Sequence, residues 1–501
     1  MGYIEGTDRG QVRMGCLEEQ VARDHVVRLI DRFVDILDLG GLGFAKAVPR
    51  AVGRPAYDPA CLLKLYLFGY VSGTRSSRAL ERLSRESLPA MWLTRGLSPD
   101  FKTIADFRKD NLKAVEGAFF EYNSFLESAG MFGKSVAAID GTKIKASNSK
   151  KRNFSRKKLV ARIEYSKKRA LDYLAALDEA DGSGGDAAEE GLARALASID
   201  KYEGYLATLD ASGCGEVSET DPDARAMSNG NNGVDVAYNV QASVDAASHL
   251  VAAFDVSQNP TDHGQLAGMA ALTQEALHKE GMTVLADKGY YNAEQLAACE
   301  EAGVEAVVAR QAAPGGKGRE RPFRLERFAY DPAADAYTCP AGAILATGNA
   351  KSTKQRVFSN PKACAGCPDK GRCLPGKARY RKVVRGPNAD VLDRADKRFS
   401  DNAVLYRLRQ QVVEHVFGTV KRTMAGGFFL LRTMGKVRCE AALLFTGYNI
   451  KRSLGVAGFD GLMARLELYA ATLPSTGRAR ALLPNFYSRC PAPRWPLSCL
   501  P

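Results

Sequence analysis

The chain has 501 residues, 45% hydrophobic and 25% charged, a composition typical of globular proteins with room for more than one hydrophobic core. Its 70 Lys and Arg outnumber 57 Asp and Glu and give a net charge of +13, so nucleic acid is the first partner to expect. No apolar run reaches the roughly 18 residues of a membrane-spanning helix, which argues against a membrane protein. Residues before Ile30 lack the apolar segment of a secretory signal, so we expect a cytoplasmic protein.

Residues 1–130 are predicted to form an all-helical domain. Apolar residues recur at helical spacing within 26–34 and again within 62–68. Residues 98–109 begin with a helix-start signal and continue with basic residues, a pattern that fits either a helix laid against DNA or a solvated helix face. We expect this domain to be the one that recognises DNA, an expectation that rests on its position in the chain and on the family resemblance given below more than on any base-contacting signature.

A short apolar strand is predicted from Val136 to Ile139, ending at Asp140. Twelve Lys and Arg follow between Lys143 and Arg169, and Lys143 and Lys145 are candidates for binding DNA phosphates. A solvated helix face is the alternative for this basic segment. Residues 150–215 carry an Ala, Leu and Glu pattern broken at 182–185, which predicts an inserted helical hairpin.

The next segment alternates strands and helices. Residues 234–244 and 250–256 predict a β-hairpin, a helix is expected after Asp262, and an apolar strand at 284–286 ends at Asp287. A helix at 293–302 and a strand at 306–308 follow. This order predicts an α/β mixed-sheet core made from residues 131–310 and 401–455, with carboxylates at the ends of strands.

Residues 311–400 are rich in Gly, Pro, Lys and Cys and are predicted to be an insertion with little core of its own. Cys339, Cys364, Cys367 and Cys373 supply four thiols, which suit a structural Zn²⁺, although free thiols remain the alternative. The other seven cysteines have no partner at ligand spacing and are interpreted as packing or surface residues.

A helix is predicted from about 402 to 423, and another from about 436 to 454. On the first, Glu414 lies at the margin of the apolar face, and Arg407 and Lys421 lie seven residues before and after it. If the helix is continuous, all three side chains project in one direction, although a salt-bridged surface helix would look the same. Residues 456–501 are predicted to be a partly disordered tail.

An Asp after a strand often only caps the following turn, so Asp140 and Asp287 each have a purely structural interpretation. They also end two strands of one predicted sheet, which would bring them together as oxygen ligands for a hard divalent cation. His263 could reach such a site, but we interpret Asp262 and His263 as a helix-capping Asp beside an ordinary His.

Three segments together resemble the catalytic blocks of bacterial insertion-sequence transposases of the DDE class, and within it insertion-sequence group 1182. The segments are Ile139-Asp140-Gly141-Thr142-Lys143, Leu285-Ala286-Asp287-Lys288-Gly289-Tyr290-Tyr291 and Val413-Glu414-His415-Val416-Phe417-Gly418-Thr419-Val420-Lys421. One departure concerns the helix signature, because Arg409 lies five positions before Glu414, one more than usual. Either Arg409 or Arg407 could hold a DNA phosphate, and continuous helix geometry favours Arg407.

The resemblance implies a ribonuclease-H-like, retroviral-integrase-like core and catalytic roles for Asp140, Asp287 and Glu414 as ligands of Mg²⁺ or Mn²⁺. It implies cleavage and strand transfer of double-stranded DNA at the terminal inverted repeats and at a target. Such a protein is expected to act as a homodimer at the bacterial nucleoid. A DNA-binding regulator or inactive descendant, and a metal-dependent nuclease without strand transfer, are the rival hypotheses.

Overall fold

The computed structural model describes residues 15–49, 55–179, 185–212, 215–229, 233–310, 323, 325–347, 355–374 and 378–473. These residues form two compact units. The first takes the described parts of Met1–Asp262, Gly268–Met282 and Leu408–Pro501, and the second takes those of His263–Ala267 and Thr283–Arg407. Residues 182–184 of the predicted break in the hairpin, and the part of the predicted tail beyond 473, lie outside the described residues.

The described residues before the first strand are helical, as the apolar spacing predicts. The helices are α1 (Leu17–Gln20), α2 (Val26–Asp35), α3 (Pro59–Val71), α4 (Ser77–Glu86), α5 (Leu88–Leu93), α6 (Phe101–Asp110) and α7 (Leu112–Ser128). Side-chain caps begin several of them: Asp58 accepts from Ala60 N, and Asp100 accepts from the backbone N–H groups of Lys102 and Thr103. On α6, Arg108 is buried against the Tyr66 ring, so only part of the predicted basic face is available to DNA.

The first unit also contains antiparallel strands. They are β1 (Val136–Lys145), β2 (Asn153–Ser155), β3 (Glu216–Ser218), β4 (Arg225–Ser228), β5 (Val234–Asp245) and β6 (Val251–Ser257). β5 pairs with β1, β4 and β6, while β2 and β3 pair separately. The predicted end of the first strand at Asp140 is wrong, because pairing with β5 from Ala137 to Lys145 carries the extended backbone through Asp140.

Three more helices follow in this part of the chain: α8 (Arg156–Glu179), α9 (Gly185–Ser212) and α10 (Leu266–Leu277). α8 and α9 pack along each other as the predicted hairpin. The base of the hairpin has a small core of Phe154, Leu159 and Leu209.

The second unit contains a parallel pair of strands and a separate antiparallel sheet. Its elements are β7 (Thr283–Ala286), α11 (Ala293–Glu301), β8 (Glu305–Val308), β9 (Ala329–Asp331), β10 (Ala336–Thr338), β11 (Ile344–Thr347), β12 (Arg356–Ser359), α12 (Pro361–Ala365), α13 (Lys370–Cys373), β13 (Lys382–Arg385), α14 (Ala389–Asp401) and α15 (Ala403–Tyr406). β7 and β8 are parallel, and β9 to β13 form a meander.

The prediction that residues 311–400 have little core is wrong. Phe328, Tyr337, Leu345, Phe358 and Val383 are buried together on the meander. Large apolar residues scattered through the meander, Tyr337 and Phe358 among them, supply the apolar surface that the Gly- and Lys-rich composition obscures.

The last described helices are α16 (Leu408–Arg422), α17 (Met434–Ala457) and α18 (Phe459–Thr472). α17 is buried along most of its length against α3, α7 and β6, and Phe254 joins Phe119 and Phe445 in this core. Residues 459–472, assigned to a tail from the sequence, are helical because Leu462 and Leu466 are buried and Glu467 pairs with Arg32. The prediction of a mixed α/β protein is confirmed.

One predicted helix is interrupted. The segment expected from about 402 to 423 consists of α15 and α16, with Arg407 between them. Arg407 N donates to Val404 O, three residues back, so the last turn of α15 tightens and the α-helical hydrogen-bond register stops there. The argument that favoured Arg407 through a continuous helix is therefore wrong.

Within the described residues, no helix has both the length and the apolar character needed to cross a bilayer.

Candidate active site

Strand β1 presents two sets of side chains. Successive side chains of a strand point to opposite faces, so Asp140 and Thr142 share one face while Gly141 and Lys143 share the other. Asp140 Oδ1 accepts a 2.8 Å hydrogen bond from Gly141 N. The side chain of Asp140 remains partly exposed, at 25%.

Helix α16 covers the face that carries Asp140. Its buried stripe of Val412, Val413, Val416 and Val420 packs on β1 and β5. From the two ends of the helix, cationic side chains reach back to the strand. Arg409 donates to Asp140 Oδ2 at 3.1 Å, and Lys421 Nζ donates to Thr142 Oγ1 at 2.5 Å. The cation beside the carboxylate is thus Arg409, and it was the alternative to Arg407 in the sequence.

Glu414 is exposed on α16, and its Oε1 accepts a 2.8 Å hydrogen bond from Gln410 Nε2. Lys421 lies seven residues further along, nearly two turns, so Glu414 and Lys421 project from the same side of the helix. This is not the side of the buried stripe that packs on β1 and β5, so the long Lys421 side chain reaches back to Thr142 while Glu414 points to solvent. The first unit therefore brings Arg409 to Asp140 and Lys421 to Thr142, and the same helix carries Glu414 on its exposed side.

Lys421 is half-buried on this helix. Loss of solvent, and then the nearby charge of Lys143, lower the pKa of its ammonium below the ordinary lysine value. The partner of this half-buried ammonium in that hydrogen bond is the Thr142 hydroxyl, which is uncharged. Such a cation would gain from an incoming anion such as a phosphate.

The opposite face of β1 holds a polar cluster that the sequence analysis missed. Asp262 Oδ1 accepts 2.7 Å hydrogen bonds from Asn239 Nδ2 and Gln241 Nε2, and a 3.3 Å contact from Lys143 Nζ. Both amide side chains come from fully buried residues of β5. The sequence did contain a signal for this cluster, because Asn239 and Gln241 are polar residues at alternate positions of a strand that is otherwise largely apolar.

Gly141 makes room for this cluster. A Cβ there would lie 2.3 Å from Gln241 Nε2 and 2.5 Å from Asp262 Oδ1. The interpretation of Asp262 as a helix cap is wrong, because α10 begins only at Leu266 and the carboxylate binds strand side chains instead. The neighbouring His263 is exposed.

Lys145 differs from Lys143. Its side chain is 63% exposed and its Nζ lies 3.4 Å from Asp235 Oδ2, while Lys150 Nζ lies 2.8 Å from the other oxygen. The hydrogen bonds from Lys150 and Asn229 lower the pKa of Asp235 to about 2. Lys143 is occupied by Asp262, so Lys145 and Lys150 are the lysines here that solvent or DNA can reach more easily.

Asp287 belongs to the second unit, directly after β7. Its Oδ1 accepts a 2.6 Å hydrogen bond from Gly289 N and so caps the 3₁₀ turn Lys288–Tyr290. Tyr290 is completely buried and anchors that turn. The capping role and a ligand role are compatible, because the capping bond uses one carboxylate oxygen.

The four predicted zinc ligands line one cavity of about 30 Å³ in the second unit, together with Phe323, Phe328 and Leu345. Burial, the largest effect, and the nearby Cys364, Cys367 and Cys339 thiols raise the pKa of Cys373, against an opposing effect of Arg381. The cavity has room for a water-sized occupant. All four cysteines are free thiols here. Across the described residues, no group of three or more His, Cys, Asp or Glu is arranged to hold a metal ion.

Two family models match the chain. Residues 15–110 match a transposase domain (DUF772), and residues 338–454, which include the four cysteines and Glu414, match a transposase DDE domain. No curated protein and no solved structure matches significantly. Together the two matches support a DDE-type transposase, a protein of DNA transposition and recombination.

Proposed function

We propose that this protein binds the terminal inverted repeats of its own insertion sequence and catalyses cleavage and strand transfer at them. One observation carries the proposal: α16 packs on β1 and brings Arg409 to Asp140 and Lys421 to Thr142, and the same helix carries the exposed carboxylate of Glu414. An accessible carboxylate with two cations beside its strand suits phosphodiester chemistry. The match to a transposase DDE domain supports the same chemistry.

Asp140, Asp287 and Glu414 are the proposed ligands of Mg²⁺ or Mn²⁺, within a ribonuclease-H-like core of insertion-sequence group 1182 type. Carboxylate oxygens are the donors that these hard cations prefer. The bound ions would activate the attacking oxygen and stabilise the leaving 3′ oxygen. Asp140 is paired with Arg409 through one carboxylate oxygen in this structure, so a cation bound by Asp140 would compete with that ion pair.

The chain's own cations then have a second task. When Arg409 leaves Asp140, its planar guanidinium can hold a DNA phosphate through two hydrogen bonds. Lys421 supplies a point charge from the same helix, and a phosphate beside it would raise its pKa back toward the ordinary value. Lys145, and Arg407 between α15 and α16, are exposed and available for phosphates along the rest of the DNA.

The N-terminal helices are proposed to recognise the DNA ends, because residues 15–110 match a transposase domain of their own. A homodimer at the nucleoid is proposed because two DNA ends must be held together. Deletion of residues 1–120 should abolish specific binding of the ends, and retained binding would move recognition elsewhere in the chain.

The cysteine cavity is a separate proposal. Four thiols that line one cavity are the donor set of a structural Zn²⁺, but their described arrangement is not that of a formed site, so the thiols would have to close around the ion. Metal analysis of the purified protein should find one zinc that Cys367→Ser removes and Cys61→Ser retains. This proposal is wrong if the purified protein contains no zinc and Cys367→Ser has the same melting temperature as the wild type.

The decisive experiment is cleavage and joining of DNA that carries the flanking ends of the gene, with Mg²⁺, by the wild type and by Glu414→Gln. Glu189→Gln, an exposed carboxylate of α9, is the matched control. Cutting and joining that vanish only in Glu414→Gln would support the transposase. Cutting without joining would favour a nuclease, and binding without cutting would favour a regulator or an inactive descendant.

A further inference from the structure

The first unit contains an open cavity of about 470 Å³, a size within the range of roughly 300–1,000 Å³ common to ligand pockets. It lies between the segment that follows β1 and the loop that joins α16 to α17. The residues that matter here are Ser147, Arg152, Thr220, Phe428 and Arg432. We call it the Phe428 cavity.

The loop at this cavity is tied to the strand that carries Asp140. Phe429 N donates to Lys145 O at 2.7 Å, and Arg432 Nε donates to Ser147 O at 3.1 Å. These two hydrogen bonds hold the loop, and with it the cavity, at the end of β1. Asp140 and Ala146 are six residues apart, about 20 Å of extended strand.

Phe428 is an exposed aromatic residue held from one side. Its side chain is 49% exposed, and the Arg75 guanidinium lies 4.9 Å from the centre of its ring. Arg75 is itself fixed, because it donates to Phe428 O and to the buried carboxylate of Glu440, each at 2.9 Å. An aromatic ring fixed in this way and open to solvent is a stacking platform for another flat group.

The cavity wall has unused hydrogen-bonding capacity and positive charge. Among the described residues, Thr220 Oγ1 is buried and has no hydrogen-bond partner. A buried hydroxyl without a partner is costly, so a ligand would gain affinity if a small shift of the wall opened this hydroxyl to it. Arg152 and Arg432 are exposed at the cavity, and the described residues that line it include no carboxylate.

These features fit a ligand with a flat ring, hydrogen-bonding edges and a negative backbone. We propose that the Phe428 cavity binds one unpaired nucleotide of the DNA end, with its base stacked on Phe428 and its phosphates at Arg152 and Arg432. This inference rests on the proposed function. A base inside a duplex cannot stack on a side chain, so the DNA must be locally unpaired here.

The position of the cavity limits which nucleotide it holds. About 20 Å corresponds to about six nucleotides of B-form DNA at 3.4 Å each, and to fewer in an extended strand. The bound nucleotide therefore lies within about six positions of the phosphodiester at Asp140.

The test is a binding experiment without metal, so it does not depend on cleavage. The probes are duplexes of the flanking end of the gene, intact or with a single abasic site at each of these positions. Phe428→Leu, which keeps an apolar side chain but loses the ring, should bind the intact duplex about tenfold more weakly. Phe428→Trp should retain binding, and Leu468→Ala, an exposed apolar residue of α18, is the control.

The abasic duplexes identify the nucleotide. At one position, removal of the base should eliminate the difference between wild type and Phe428→Leu, since there is no base left to stack. The proposal is overturned if Phe428→Leu binds like wild type, or if its defect is the same with every abasic duplex. Failure of the proposed function would appear differently, as wild-type protein that binds the ends but does not cut them with Mg²⁺.

Discussion

The two faces of β1 have different polar environments. On one face, Asp140 and Thr142 receive the long side chains of Arg409 and Lys421, which come from a separate helix and can move away. On the other face, Gly141 lies under buried amide groups that are bonded to Asp262. The first arrangement can exchange its partners for a ligand, whereas the second holds the strand in place.

This comparison assigns chemistry to one face and rigidity to the other. A catalytic carboxylate must be accessible and must also be held to within a fraction of an ångström. Asp140 is partly exposed, while the residues next to it on the strand are fixed from the opposite face. Substitutions on the first face should therefore affect activity, and substitutions on the second should affect stability first.

The largest effect is expected for Asp140→Asn. The amide keeps the shape of the side chain but loses the charge that a divalent cation and Arg409 require. We expect Mg²⁺-dependent cleavage to fall by on the order of a thousandfold or more, with little change in the binding of DNA ends. Asp200→Asn, an exposed carboxylate of α9, is the control. Cleavage at more than a tenth of the wild-type rate would remove Asp140 from the site.

The next effect concerns Asp262, through two substitutions. Asp262→Ala removes the acceptor from two buried amides and should lower the free energy of unfolding by about 3 kcal/mol. Asp262→Asn keeps an acceptor oxygen and loses only the charge beside Lys143, so it should cost about 1 kcal/mol. Denaturant unfolding measures both. Equal losses in the two variants would show that the charge, not the acceptor, matters.

Gly141→Ala tests how closely the second face is packed. The new methyl group would displace Gln241 and Asp262, so we expect a loss of about 2 kcal/mol in the free energy of unfolding. Gly204→Ala is the matched control, because nothing lies near its added Cβ within α9 and alanine favours a helix. A Gly141→Ala protein as stable as wild type would mean that the cluster rearranges at little cost.

Local sequence patterns predicted much of the framework of this site. The apolar run before Asp287 is β7, and the alternating runs after residue 233 are β5 and β6. Each of these strands follows from the order of polar and apolar residues that are close in sequence, and a periodic pattern describes that order. Patterns of this kind also predicted a helix where α16 lies, although the exposure of Glu414 on it was not predicted.

The parts that could not be predicted depend on distant partners. Arg409 meets Asp140 across 269 positions, and β1 continues past Asp140 only because β5 pairs with its whole length. Asn239 and Gln241 look like the solvated side of a strand, yet they are buried because Asp262 packs over them. Such contacts follow from tertiary packing, which overrides local preference.

The smallest expected effect concerns pH and Lys421, on the first face. Burial lowers the pKa of this lysine, so its charge is lost at a lower pH than that of an ordinary lysine. The pKa of Lys421 is lower in the folded state than in the unfolded state, so protonation of this lysine favours unfolding. Its contribution to the free energy of unfolding is therefore present above the unfolded-state pKa and is lost as pH falls through the folded-state pKa.

DNA binding should respond in the opposite direction. As pH rises through the lowered pKa, Lys421 loses the charge that attracts a phosphate, whereas arginine in its place stays charged. Lys421→Arg should therefore match wild type at neutral pH and bind DNA ends up to about fivefold better at alkaline pH, since one such contact contributes up to ~1 kcal/mol. Lys145→Arg, at a side chain 63% exposed, controls for the arginine itself. If both variants gain the same DNA affinity at alkaline pH, or if neither gains any, Lys421 does not hold a phosphate. Arg409 would then be the one cation on this face of β1 for which we propose an exchange of partners.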